Sequence, residues 1–150
     1  MNAFKLCAFA DEADSQLDGQ IRALTENGIS YIELRGLDSG PAVALSDRGA
    51  REVKKRLDDA GISVWSMGSP IGKIGVMDPF APHVEQFRRT LEIGEILGAK
   101  CIRMFSFYMP KDDPNRARYR DEVMSRLQQL AEESKDSGLL LCHENEKGIY

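Results

Sequence analysis

Cysteine is scarce and odd in number. Cys7, Cys101 and Cys142 lie far apart in a chain of 150 residues. That is no disulfide framework, and it points to a reducing compartment, the cytoplasm. Zinc-finger spacing is absent as well. Aromatic residues make up only 7%, and 13 glycines and 6 prolines exclude a collagen-like or low-complexity chain. No apolar run approaches the roughly 20 residues of a membrane span. The start, Met1-Asn2-Ala3-Phe4-Lys5, lacks the charged-then-apolar layout of a signal peptide. Basic residues are outnumbered, with Lys+Arg at 20 against Asp+Glu at 24 and a net charge of −4. Broad binding to a nucleic-acid backbone needs the opposite balance, so nucleic acid is not an expected partner. What is present is 42% apolar and 29% charged residues, enough for a core and too much for disorder. One domain fits this length.

The strongest internal signal is a repeated junction of helix, glycine and strand. Leu24-Thr25-Glu26-Asn27-Gly28-Ile29 precedes Tyr31-Ile32-Glu33-Leu34. Leu57-Asp58-Asp59-Ala60-Gly61-Ile62 precedes Val64-Trp65-Ser66-Met67. Ile96-Leu97-Gly98-Ala99 precedes Cys101-Ile102-Arg103-Met104-Phe105, and Ser134-Lys135-Asp136-Ser137-Gly138 precedes Leu139-Leu140-Leu141-Cys142. Each glycine suits the position just past a helix end, where φ is often positive and a Cβ is costly.

The segments before the glycines read as helices. Ser15 is the expected cap of the first, with Leu17, Ile21 and Leu24 on one face. Ser46 caps the second, which buries Val53, Leu57 and Ala60. The third starts near Pro82, with Val84, Phe87 and Leu91 on successive turns and His83 on its surface. The fourth places Asp113 at the cap and Pro114 at the first helical position, followed by Tyr119, Val123, Leu127 and Leu130. With Phe4–Phe9 as an opening strand, the order is β-α-β-α-β-α-β-α-β. Alternation of this kind implies a parallel sheet with right-handed crossovers. Two architectures satisfy it: an open, doubly wound five-stranded sheet, or part of a (β/α)8 barrel.

In both, chemistry belongs at the carboxyl ends of the strands. The first strand leads to Asp11 and Glu12, and the second ends in Glu33 and Arg35. The third leads into Gly68-Ser69-Pro70-Ile71-Gly72-Lys73-Ile74, and the fourth ends in Arg103 to Tyr108. The glycine-rich stretch is no nucleotide phosphate loop: Ser69-Pro70-Ile71 is one residue short, and Ile74 replaces the magnesium-holding Ser/Thr. Two readings of it stand. Its backbone N–H groups and Lys73 receive a phosphate or sugar hydroxyl, or it is a tight loop with a solvated lysine. Cys142-His143-Glu144-Asn145-Glu146 is the densest chemical cluster. Strand alternation puts Glu144 and Glu146 on one face, toward a barrel interior. Carboxylates there call for a cation or a divalent ion; the alternative is a solvated acidic loop. Cys142 reads as a buried thiol.

These pieces together resemble the xylose isomerase-like TIM-barrel superfamily, and within it the sugar phosphate isomerase/epimerase group. The matching residues are Phe9-Ala10-Asp11-Glu12, Gly28 to Arg35, Ser69-Pro70-Ile71-Gly72-Lys73, Ile102 to Tyr108, and His143 to Tyr150. The resemblance implies a (β/α)8 TIM barrel of which residues 1–150 supply the N-terminal part, strands one to five, in a single domain. It implies a divalent metal (Mn, Mg or Zn) in the barrel mouth, with Glu144 as the first ligand and as a proton-transferring carboxylate. The remaining ligands fall on strands six to eight, outside this sequence. The expected chemistry is isomerisation or epimerisation of a sugar or sugar phosphate by proton transfer through an enediolate. Glu33, Arg35, Lys73, Arg103 and Glu146 are the expected substrate contacts. Three alternatives accompany it: an inosose-type dehydratase, an abasic-site endonuclease, and a non-enzymatic half-barrel that self-associates into a homo-oligomer.

Overall fold

Each apolar run that follows a junction glycine becomes a strand of one parallel sheet. The computed structural model describes residues 4–150; Met1 to Ala3, the first residues of the expected leader-free start, lie outside it. The element order is β1 (Cys7–Ala8), α1 (Leu17–Glu26), β2 (Tyr31–Leu34), β3 (Gly36–Leu37), β4 (Gly40–Pro41), α2 (Asp47–Asp59), β5 (Ser63–Gly68), α3 (Ala81–Leu97), β6 (Cys101–Met104), α4 (Arg120–Ser134) and β7 (Leu140–His143). Gly28, Gly61, Gly98 and Gly138 all adopt positive φ, between +65° and +71°. A residue with a Cβ is disfavoured there, and the left-handed turn directs the chain from helix into strand.

The main sheet runs β1-β2-β5-β6-β7, every neighbour parallel. Spatial order equals chain order. Right-handed crossovers in constant order place all the helices on one face. A doubly wound sheet needs a reversal of order, and none occurs, so the open-sheet alternative gives way to a barrel segment. Ile32, Leu34, Val64, Met67 and Ile102 face the helices and are buried against Leu24, Leu57, Phe87, Leu97 and Leu130. Each such side chain contributes about 1.5–3 kcal/mol on burial. Alternation then turns Tyr31, Glu33, Cys101 and Arg103 to the other face. The register of β2 against β5 jumps between Ile32↔Val64 and Glu33↔Ser66, leaving Trp65 as an extra residue.

Several local expectations need correction. Ser46 does cap α2, its Oγ accepting from the Gly49 amide at 3.1 Å. Ser15 does not cap α1: Gln16 holds that position without a side-chain bond, and Asp14 Oδ1 accepts from Gln16 N at 2.8 Å. The fourth helix starts later than expected. Asp113 accepts from Asn115 N at 2.9 Å and from the Tyr119 hydroxyl at 2.7 Å, which fixes a turn, and α4 proper begins at Arg120. His83 is buried beneath the loop that follows β5, not on a helix surface. Cys142 is exposed, because it alternates with the core-facing Leu141 and turns to the open face; Cys101 is the buried thiol. Burial pushes the Cys101 thiol up, which removes it from nucleophilic use. The antiparallel β3–β4 ribbon has no precedent in the helix–glycine–strand repeat. Among the described residues no helix is long and apolar enough to cross a membrane.

Candidate functional site

The carboxyl ends of the sheet form a cleft of about 380 Å³. It is lined by Phe9, Arg35, Pro41, Gly68, Ser69, Pro70, Lys73, Arg103, Glu144 and Glu146. Five stretches that are distant in sequence meet here because strand order equals chain order. Four of the five expected substrate contacts and Glu144 line this cleft. Glu33, the fifth, lies against an adjoining recess and reaches the cleft through Arg103.

Arg103 is the centre of the charge arrangement. Its Nε donates to Glu33 Oε1 at 2.6 Å and its Nη1 to Glu144 Oε2 at 2.9 Å. One guanidinium thus ties the second strand to the fifth. Arg35 donates to Asp11 Oδ2 at 2.8 Å and to Glu12 Oε1 at 3.2 Å. The Asp11 bond, above all, raises the Arg35 pKa and holds the guanidinium protonated. The other Asp11 oxygen, Oδ1, is buried without a hydrogen-bond partner. Lys73 pairs with Glu146 at 2.7 Å. The cations also stack on rings: Arg35 lies 4.8 Å from the Phe9 centroid, Arg103 5.1 Å from Phe105, and Lys73 4.2 Å from Phe105. Every cation of the cleft is therefore already paired.

Three loops lie side by side at the rim. Phe105 N donates to Ile71 O at 2.8 Å, Phe107 N to Gly72 O at 3.0 Å, and Tyr108 N to Ile74 O at 2.8 Å. Tyr150 N donates to Phe107 O at 3.2 Å, and Met109 N to Gly148 O at 3.1 Å. Phe107 is fully buried at φ +73°, a strained conformation for an aromatic residue, held by these bonds on both sides. The same bonding decides between the two readings of the glycine-rich loop. Ile71 N goes to Ser69 Oγ, Gly72 N to His83 Nε2, and Lys73 N to Pro70 O. These amides are spent inside the protein, so the phosphate-cradle reading fails, and Lys73 is ion-paired instead of free in solvent.

The residues present do not make a metal centre. Among the described residues, no group of three or more His, Cys, Asp or Glu side chains converges on one point. The Glu144 carboxylate is instead ion-paired with Arg103. The sequence assigned no role to Phe9, Pro41 and Ser69, which line the cleft, or to Phe105, the buried ring beneath Arg103 and Lys73. Phe9 and Phe105 carried a signal, since each stands at a strand end beside charged residues. Pro41 comes in on the β3–β4 ribbon and carried none.

A family model described as xylose isomerase-like TIM barrel matches residues 21–150. No curated protein matches. Among solved structures, the chain is similar to a xylose isomerase domain protein from Planctomyces limnophilus, with 14% identity and a TM-score of 0.70 over 98% of this chain and 56% of that one. An L-ribulose 3-epimerase aligns with 21% identity and a TM-score of 0.70 over 100% and 52% of the two chains. An IOLI protein with a bound zinc atom aligns with 16% identity and a TM-score of 0.72 over 93% and 51%. The chain spans about half the length of the structures it matches.

Proposed function

Since the chain belongs to the xylose isomerase-like TIM barrel family, we propose that its cleft serves a sugar isomerase or epimerase. The half-length coverage fits a single barrel domain of which these residues are the N-terminal part. The reaction is proton transfer beside a carbonyl. Glu144 removes the proton from the carbon next to the carbonyl of a ketose or aldose. The enediolate that forms is stabilised by the cationic rim of Arg103 and Lys73. A second carboxylate returns the proton to the other face or to the neighbouring carbon. Glu33, Arg35 and Glu146 contact the sugar hydroxyls directly or orient the groups that do. The observation that carries this reading is the meeting of Glu144, Arg103 and Glu33 across the sheet at the strand carboxyl ends.

Pairing of all three cations favours an uncharged sugar over a sugar phosphate, because a phosphate must first displace a carboxylate. As for a divalent ion (Mn, Mg or Zn), Glu144 is the residue that would hold it; among the described residues no further ligands converge with it to complete a site. A cytoplasmic location accords with the sparse, unpaired cysteines. Turnover of a ketose panel by the intact protein tests the reading; unchanged turnover in Glu144→Ala contradicts the role of Glu144.

One observation favours a second reading, self-association of an open half-barrel. On the face away from the helices Trp65 is 46% exposed and Leu140 69%. Strands β1 and β7 are the edges of the sheet among the described residues. Exposed edges and apolar surface invite pairing with a second copy.

A further inference from the structure

The loop that brings Ser69 and Lys73 to the cleft is held from below by two buried side chains that the proposed chemistry does not use. His83, in the first turn of α3, is 5% exposed, and the Gly72 amide donates to its Nε2 at 2.8 Å. Nε2 is therefore an acceptor, and the ring proton sits on Nδ1. Arg126 comes from α4. It donates to Asp78 O at 2.9 Å and to Gly75 O at 3.5 Å, and it pairs with Glu122 at 2.6 Å. The Arg126 guanidinium lies 4.8 Å from the Phe80 centroid, and Phe80 lies 6.1 Å from His83, so the two anchors share one packed layer. Gly72 has φ +89°, and a Cβ there would fall on the Phe105 carbonyl. The Gly72 peptide thus has little freedom, and its orientation sets the direction in which Lys73 leaves the backbone.

We propose that His83 is a positioning residue: by accepting the Gly72 amide it fixes the loop that presents Ser69 and Lys73 to the cleft. Its consequence for sugar binding rests on the function proposed above; its hold on the loop does not.

The anchor works only while the imidazole is neutral. A protonated ring has no lone pair and sets a donor against the Gly72 N–H. Burial holds the ring below its usual 6.5, with the Arg126 charge acting the same way and a hydrogen bond with Gln86 opposing. The other charged groups of this layer are committed elsewhere: Glu122 to Arg126, and the Asp78 carboxylate to the Gly75 amide at 2.7 Å. A depressed folded-state pKa means the unfolded chain binds more protons between that pKa and 6.5. Stability and loop order are complete above 6.5 and decline as the pH falls below it.

Amide exchange of the labelled protein, expressed as protection factors, tests this at Gly72 and, as a reference, in the helices. Leaving the buried amide without an acceptor lowers the Gly72 protection factor about tenfold or more in His83→Leu at neutral pH. The Lys73 side-chain signals shift with it, as the pairing with Glu146 loosens. His83→Gln keeps an acceptor but cannot titrate, so protection is restored and its decline on acidification from about pH 7.5 to 5 disappears. Should His83→Leu fail to fold, the wild type against His83→Gln suffices. An acid step that persists in His83→Gln, or unchanged Gly72 protection in His83→Leu, overturns the proposal. If the exchange results hold and no sugar is turned over by the wild type, the function reading fails and the anchor stands.

Discussion

Alanine at Gly72 puts a methyl group where the Phe105 backbone already is. A Cβ at this position falls 2.0 Å from Phe105 O and 2.4 Å from its carbonyl carbon. Both atoms are main chain, so no rotamer change relieves the overlap. The left-handed φ adds about 1–2 kcal/mol for any residue with a side chain. Separating the two loops weakens the bonds from Phe105 N to Ile71 O and from Phe107 N to Gly72 O, each worth about 1 kcal/mol net. The expected loss is roughly 3–4 kcal/mol. Gly28 is the control. It also has positive φ, at +65°, but a methyl group on its Cα would meet nothing within 4 Å. Gly28→Ala therefore costs about 1 kcal/mol, the backbone contribution alone. Urea unfolding with a shared slope measures both. On heating, Gly72→Ala melts about 6–16 °C below the wild type, at the roughly 2–4 °C per kcal/mol usual for this size. Equal losses in the two variants refute the argument from close backbone contact.

Two further outcomes follow from the cleft and the open face. Arg103 and Glu33 side chains are 15% and 16% exposed, so Arg103→Met strands a largely buried carboxylate and costs about 3 kcal/mol, the low end for a buried pair. Adding Glu33→Met recovers part of that loss in urea unfolding; a double variant no more stable than the single contradicts the pairing. On the second reading, an open half-barrel of residues 1–150 scatters light as a dimer that Leu140→Lys returns to monomer. A wild type that stays monomeric at every concentration removes the self-association reading.

The architecture was legible because its signals are local and repeated. Gly28, Gly61, Gly98 and Gly138 each end a helix by the same backbone rule, and the apolar run behind each one has no other place to go. Periodicity alone left barrel and open sheet undecided, since it states which face is apolar but not the order of strands; the strand-end residues that resemble the xylose isomerase-like family pointed to the barrel. The rim residues were found because chain order already groups them at strand ends. Their partners were not: the choice of Arg103 between Glu33, Glu144 and a substrate depends on distances across three strands. Helix starts failed at Ser15 and Asp113 for one reason. Asp14 and Asp113 bind the amide two residues on, and each makes a turn that competes with the cap. His83 looked exposed because its helix face is apolar only in three dimensions, where the loop after β5 folds over it.

The central claim is that Glu144 moves a proton beside a sugar carbonyl, with Arg103 holding its carboxylate. The direct measurement is deuterium uptake from solvent into the carbon next to the carbonyl, followed by proton NMR across a ketose panel, for the intact protein and for Glu144→Gln. The wild type is expected to label at least one ketose at that carbon, and Glu144→Gln to slow the labelling by about a hundredfold or more. Labelling at an unchanged rate in Glu144→Gln contradicts the account.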